Sequence, residues 1–157
     1  MTSSDIHVRL AGTRDRRALP EIDPNVARDL DRRHAIDSAI AARHCWIADY
    51  AGQPAGYGLA SRNFFSRDFI DLIYVAEFAR RSGVGDAILA AIESACGAAS
   101  IFTSTNESNA PMRALLKSRD YHPSGRIENL DPGDPELVYV KFLPENDKQT
   151  DYRGRGM

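Results

Sequence analysis

The sequence has only two cysteines and one tryptophan in 157 residues, and it has no long run of apolar residues. Cys45 and Cys96 lie far apart without metal-type spacing, so neither a disulfide framework nor a zinc site is expected to organise the fold. Residues 1–5 lack the basic and apolar regions of a signal peptide, and no segment is long enough to span a bilayer. These absences predict a cytoplasmic protein with reduced cysteines.

An excess of basic residues is also missing. The chain carries 20 Lys and Arg against 22 Asp and Glu, for a net charge of −2. Nucleic-acid-binding domains normally carry strong positive charge, so no nucleic-acid partner is expected, and no membrane partner either. The four histidines are scattered, and no metal site is expected. The length predicts one domain over residues 1–143, and the polar residues 144–157 are expected to form a flexible tail.

Short apolar segments alternate with amphipathic ones in the order β-α-α-β-β-β-α-β-α-β-β. The pattern predicts strands at 6–10, 45–49, 55–61, 68–75, 100–105, 125–130 and 136–142, and helices at 14–22, 26–43, 84–95 and 110–119. Leu30, Ile36 and Ile40 are the expected core positions of the second helix. This order predicts an α/β fold of the α+β mixed-sheet type, with helices on both faces of a mostly antiparallel sheet and one crossover unit over 68–105.

Residues 75–85 join an apolar strand to an amphipathic helix. The first turn of a helix has unpaired N–H groups and a partial positive charge. Gly83 and Gly85 would let a ligand approach the backbone closely, and Arg80 and Arg81 add positive charge. These features predict an anion site suited to a pyrophosphate.

Two common phosphate motifs do not fit this loop. A Walker loop requires Lys and then Ser or Thr at the positions that follow its last glycine, where Asp86 stands. The dinucleotide fingerprint requires a small residue where Ile88 stands. One remaining interpretation is an ordinary basic turn that caps a helix.

The segment resembles the coenzyme A loop of the GNAT family of N-acetyltransferases, an aliphatic strand end followed by Arg-x-x-Gly-x-Gly. Val75, Arg80, Gly83 and Gly85 match without gaps, whereas Glu77 stands where the family often has proline. Residues 105–116 resemble the family helix that begins with Asn after the fifth strand. The resemblance implies a GNAT-type acyl-CoA N-acyltransferase fold and acetyl-CoA as co-substrate.

By this resemblance, backbone groups near the end of one strand, the loop and the later helix contact the cofactor: Ile73, Tyr74, Val75, Arg80, Arg81, Ser82, Gly83, Val84, Gly85, Asp86, Asn109, Met112 and Leu115. Two of these residues also have a simpler interpretation. Asn109 could serve only as a helix cap and Met112 only as a core residue.

The resemblance implies direct transfer of acetyl to a small-molecule or peptide amine within a ternary complex. Asp71 is the candidate base, because a carboxylate on one strand face with Phe69, Ile73 and Val75 would have a raised pKa. It could equally be a solvated residue near the strand start.

The resemblance does not extend to the general acid, since Leu116 occupies the position of the family's tyrosine. Tyr121 and Tyr74 are substitutes by proximity, and water is another source of the proton. A non-catalytic acyl-CoA binding or sensing domain is therefore the main alternative. An unrelated α/β protein whose loop only caps a helix is the second, and a homodimer is compatible with the fold.

Overall fold

The computed structural model describes residues 5–144. Residues 1–4 and 145–157 lie outside the described part, so the predicted tail is not tested. The chain forms strands β1 (Ile6–Leu10), β2 (Cys45–Tyr50), β3 (Gln53–Phe64), β4 (Arg67–Val75), β5 (Ser100–Asn106), β6 (His122–Ile127) and β7 (Glu136–Phe142). The helices are α1 (Leu19–Ile22), α2 (Leu30–Ala41), α3 (Val84–Ala95) and α4 (Ala110–Ser118).

The seven strands form one mixed sheet in the order β1-β2-β3-β4-β5-β7-β6. Every neighbouring pair is antiparallel except β4 and β5, which run parallel because α3 connects them as a crossover. The predicted α/β mixed sheet, with its initial meander and single crossover, is confirmed.

Helix α3 lies very close to the sheet because β3 presents glycines to it. A Cβ on Gly58 would stand 2.6 Å from Ile88 Cγ2, and one on Gly56 would stand 2.9 Å from Val84 Cγ1. Any larger residue would force the helix away. The apolar stripe predicted for this helix is buried, and its N-terminus lies where β4 ends.

The other face of the sheet carries α1 and α2, and here two predicted helices were wrong in extent. The segment predicted as one helix at 14–22 is a 3₁₀ turn, Thr13–Arg17, followed by α1. The helix predicted to begin at residue 26 begins only at Leu30, because Asp23 caps a separate turn at Pro24–Ala27 and Asp29 caps Arg32.

The core predicted for the second helix is correct at Ile36 and Ile40, which are buried, and wrong at Leu30. Leu30 is the first residue after the cap and is 57% exposed.

Several strand boundaries also differ from prediction because pairing sets them. β3 and β4 extend toward each other and meet at a tight turn in which Phe65 and Ser66 both have positive φ, 50° and 59°. β6 begins at His122 rather than at residue 125, since His122 pairs with Val140 of β7.

Candidate active site

Strands β4 and β5 pair over only two positions and then separate. Phe69 pairs with Phe102, and Ile70 pairs with Thr103. Within the described residues the ladder stops there, although β4 continues to Val75 and β5 to Asn106. The β5-facing edge of β4 beyond Ile70 is therefore available to a ligand.

A β-bulge at Asp71 accompanies this separation. On the β3 side, Leu59 pairs with Leu72 and Ala60 pairs with Ile70, so Asp71 is left out of the ladder. A bulge bends its strand and increases the local twist. The bend at Asp71 lies immediately after the last β4–β5 pair.

The bulge also overturns the expectation that Asp71 shares a strand face with Ile73 and Val75. Ile73 and Val75 pack against the core beneath α3, whereas Leu72 packs against the core beneath α2. Asp71 instead turns to Ser61 of β3, whose Oγ donates to Asp71 Oδ1 at 3.1 Å. The extra residue changes the strand's alternation, and sequence periodicity does not reveal it.

The pKa of the Asp71 carboxylate is raised above the ordinary value for aspartate. Partial burial raises its pKa, and the hydrogen bond from Ser61 and the positive charge of His44 act in the opposite direction. Its side chain still reaches solvent, so the group can exchange a proton with water.

The loop between β4 and α3 has the geometry of an anion site. Arg81 and Gly83 both adopt left-handed backbone conformations, with φ of 62° and 93°, and Ser82 Oγ donates to the carbonyl of Ala79. In the described chain, no backbone carbonyl accepts from the N–H groups of residues 81–86. Successive free N–H groups at a helix N-terminus attract phosphate.

The charged residues of the loop have distinct partners. Arg80 Nε donates to the carbonyl of Val75 at 3.3 Å, and its Cζ lies 6.0 Å from the centre of the Tyr74 ring. Arg81 is exposed. Asp86 forms an ion pair with Arg119 at 2.9 Å, so the carboxylate next to the anion site is neutralised within the protein.

Helix α4 meets the loop through Gly85. A Cβ on Gly85 would lie 3.0 Å from Leu115 Cδ2 and 3.7 Å from Val75 Cγ2. Met112 and Leu115 are partly buried against the core beneath α3. Asn109 caps α4, with Oδ1 accepting from the Met112 N–H at 3.2 Å. The structure thus shows the cap, and the predicted cofactor contact of Asn109 remains a prediction.

Leu116, at the position of the family's acid, and Tyr121, one of its two possible substitutes, are both buried. Leu116 has no exposed surface and Tyr121 is 3% exposed. The Tyr121 hydroxyl donates to Glu93 Oε2 at 3.1 Å, and Glu93 is also paired with Arg119 and Lys141. Burial and the negative charge of Glu93 raise the pKa of Tyr121.

Sequence reasoning missed one buried polar cluster beneath α2. Asp23, with no exposed surface, accepts from the Tyr57 hydroxyl at 2.5 Å and from Arg32 at 2.6 Å. Although burial acts against ionisation, the hydrogen bonds from Tyr57, Asn25 and Arg32 leave the pKa of Asp23 lowered. The partners come from separate elements, so no local motif reveals them.

The Tyr57 ring also stacks on Tyr74, with ring centres 6.1 Å apart. The cluster therefore links the segment before α2 to β4, the strand that borders the opening between β4 and β5. This opening is called the cleft below.

These features together form a candidate site for a ligand with a pyrophosphate and an extended arm. Free N–H groups at the start of α3 would hold the pyrophosphate. The open edge of β4 would pair with amides of the arm, and Met112 and Leu115 supply an apolar wall. Coenzyme A has these chemical parts, and the residues present fit it. The fold, and the fit of this candidate site to coenzyme A, indicate an acyl-CoA-dependent transferase.

Comparison with known proteins agrees with this class. The family model described as acetyltransferase (GNAT) family matches residues 14–121. The chain belongs to the GNAT family of acetyltransferases, acyltransferases that use acetyl-CoA as co-substrate.

A GNAT-family acetyltransferase structure from Bacillus cereus is 31% identical, with a TM-score of 0.83, and the match covers 89% of this chain and 99% of that one. A probable N-acetyltransferase from Mycobacterium tuberculosis is 31% identical over 83 residues, covering 52% of this chain and 48% of the relative. The chain thus matches about half the length of that relative.

Naa50 of Arabidopsis thaliana, solved with the bisubstrate analogue CoA-Ac-MVNAL, shares the fold at 16% identity and a TM-score of 0.72, covering 88% of this chain and 99% of that one.

Two features are absent from the described part of the chain. No helix within residues 5–144 combines the length and the hydrophobicity needed to cross a membrane. Across the same residues, no group of three or more His, Cys, Asp and Glu side chains is arranged to hold a metal ion.

Proposed function

We propose that the protein transfers an acetyl group from acetyl-CoA directly to an amine acceptor within a ternary complex. The observation that carries this proposal is the opening between β4 and β5 after Ile70 and Thr103. It leads from the free N–H groups before α3 to the bulge at Asp71. A cofactor lying along it would have its pyrophosphate at one end and its thioester near a carboxylate at the other.

Acetyl-CoA supplies the activated acyl group as a thioester. The protein's part is to orient the reactants and to stabilise charge. Of the three predicted donors Ile73, Tyr74 and Val75, we propose that the N–H groups of Ile73 and Val75 reach the cofactor arm and the thioester oxygen, because β5 has turned away from them. Successive N–H groups of a strand point to opposite edges, and since the Ala76 N–H donates to Ala55 of β3, the Tyr74 N–H faces β3 as well. A preorganised donor of this kind contributes about 3–4 kcal/mol to transition-state stabilisation.

Asp71 is the proposed general base. The acceptor amine must lose a proton to attack, and the Asp71 carboxylate could receive it directly or through water. Its raised pKa makes it a stronger base than an ordinary aspartate. Ser61 of β3 donates a hydrogen bond to the carboxylate, which restrains its orientation.

We propose water as the source of the proton for the thiolate leaving group. Leu116 cannot donate a proton, and the Tyr121 hydroxyl is committed to Glu93. Its raised pKa also makes it a weaker acid than a free tyrosine. Tyr121 as the acid, the role assigned to it by proximity, remains a prediction that substitution can test.

The acceptor class we propose is a small-molecule or peptide amine. The bisubstrate analogue seen in the Arabidopsis relative joins coenzyme A to an acetylated peptide, which supports the peptide choice by analogy of fold. Cytoplasmic location is proposed on the two free cysteines, Cys45 and Cys96, which fit a reducing compartment.

Leu116 favours one other function, a domain that binds or senses acyl-CoA without turnover. The two functions are separated by measuring binding and transfer on the same preparation. Calorimetry with acetyl-CoA reports binding, and a panel of small amines, polyamines and peptide N-termini, with thiol release as readout, reports transfer.

Reactions without acceptor correct for hydrolysis, and mass spectrometry identifies the acetylated product. Transfer to any amine above the acceptor-free rate supports the enzyme. Tight binding with no transfer across the panel supports the sensing domain, and no binding of coenzyme A excludes both.

A further inference from the structure

A second cavity lies at the opposite end of α3 from the anion loop. Its volume is about 270 Å³, just below the usual range for small-ligand sites. The C-terminal turns of α3 close one side of it, and the beginnings of β2 and β4 border another. Its walls include the apolar side chains Leu10, Trp46, Ala60, Ile92, Ala95 and Ile101.

The polar side chains of this cavity leave one arginine without a partner. Asp68 is paired with Arg62 at 3.5 Å and accepts from the Cys96 thiol at 3.0 Å. Arg43 also lines the cavity, and no hydrogen bond or ion pair joins its guanidinium to another described residue. His44 lies beside it. The Arg43 guanidinium therefore leaves an unneutralised positive charge at the cavity, and this charge favours an anion.

The backbone at Arg43 gives independent support. Arg43 follows α2 in the left-handed conformation, with φ of 60°, and the His44 N–H donates to the Ala39 carbonyl at 2.7 Å. This helix-ending position favours glycine, because a side chain there strains the backbone. The backbone preference alone therefore does not explain an arginine at this position.

We propose that this cavity binds a small monocarboxylate with a compact apolar body. The carboxylate pairs with Arg43 at the mouth, and the apolar body lies against Trp46 and Ile92. A dianion is disfavoured because the Asp68 carboxylate lies in the same wall. A cation is disfavoured because Arg62 and the Cys96 thiol already occupy Asp68. One lining residue, Ser61, also holds Asp71 by a hydrogen bond, whereas the loop before α3 does not border this cavity.

Trp46 is the single tryptophan of the chain, so its fluorescence reports on this cavity directly. The test is a titration with phenylacetate, followed by Trp46 fluorescence and checked by calorimetry, with saturating coenzyme A present to fill the main cleft. Phenylacetamide, which has the same shape without the charge, is the matched ligand. We expect saturable binding of phenylacetate and binding at least tenfold weaker for phenylacetamide.

Arg43→Ala should weaken phenylacetate binding at least tenfold, while Arg28→Ala, an exposed arginine outside the cavity, should leave it unchanged. If Arg43→Ala fails to fold, Ala95→Leu serves instead, because it fills the cavity and should abolish binding with every charge retained. The proposal is overturned if phenylacetate gives no saturable signal or if phenylacetamide binds equally well. It also fails if the substituted variants bind like the original protein.

Discussion

The hydroxyl of Tyr121, just after α4, donates to the carboxylate of Glu93 in the last turn of α3 at 3.1 Å. The same carboxylate binds Arg119 and Lys141. Tyr121 is therefore part of the packing between α3, α4 and β7, and its proton is shared with an acid that is already ionised.

Replacing Tyr121 by Phe should test whether it is a catalytic acid. We expect kcat to stay within about twofold and the free energy of unfolding to fall by about 1 kcal/mol, the usual value of one hydrogen bond. Steady-state acetylation and urea unfolding measure the two quantities. A hundredfold loss of kcat with little loss of stability would instead assign the acid role to Tyr121.

Replacing Gly83 by Val should disrupt the anion loop. A β-branched residue is strained at a φ of 93°, so the free N–H groups would move, and we expect coenzyme A affinity to fall at least tenfold. Gly97→Val is the matched control, since nothing lies within 4 Å of a Cβ placed there. Calorimetry with both variants measures the difference, and equal affinities would refute this position for the pyrophosphate.

Asp71 should control the acidic limb of the pH–rate profile. Because burial raises its pKa, kcat/KM should decline as pH falls through a pKa above the ordinary value for aspartate. Asp71→Asn should lower kcat/KM by about a hundredfold and remove that limb, whereas Asp31→Asn on the exposed face of α2 should preserve both. Persistence of the limb in Asp71→Asn would assign it to another group.

The raised pKa of Asp71 also makes the free energy of unfolding depend on pH. Between the ordinary and the raised pKa of Asp71, the folded protein holds more protons than the unfolded chain, so stability decreases as pH rises through that window. Asp71→Asn should remove this decrease. Urea unfolding at several pH values measures it, and an unchanged pH dependence in the variant would contradict it.

Glu93 should give the opposite pH dependence of stability, a loss of stability as pH falls. Despite its burial, Arg119 and Lys141 lower its pKa below the ordinary 4.5, so its stabilisation is present above that value and is lost as pH falls through the lowered pKa. At pH 7, Glu93→Gln should cost about 2–3 kcal/mol, somewhat less than for a fully buried pair. The difference should shrink in acid, while Glu21→Gln, at an exposed position, should show no such change.

Much of the fold and part of the site could be predicted from the sequence alone. Helix α3 was predicted at its observed bounds because its apolar stripe is strong and glycines precede it. The left-handed conformation of Gly83 and the free N–H groups follow from the same local pattern. Local interactions decide these features, so a short window of sequence contains them.

The tertiary structure decided the rest. The bulge at Asp71 appears only when β4 pairs with β3, and it changes which residues share a face. The Asp23–Tyr57 contact joins residues 34 apart in sequence, and the cavity at Arg43 exists only where several elements meet. Sequence by itself predicted the pyrophosphate loop and named Asp71 as the candidate base. Folding alone decided how the Asp71 side chain is oriented, because pairing and packing between distant segments set side-chain direction.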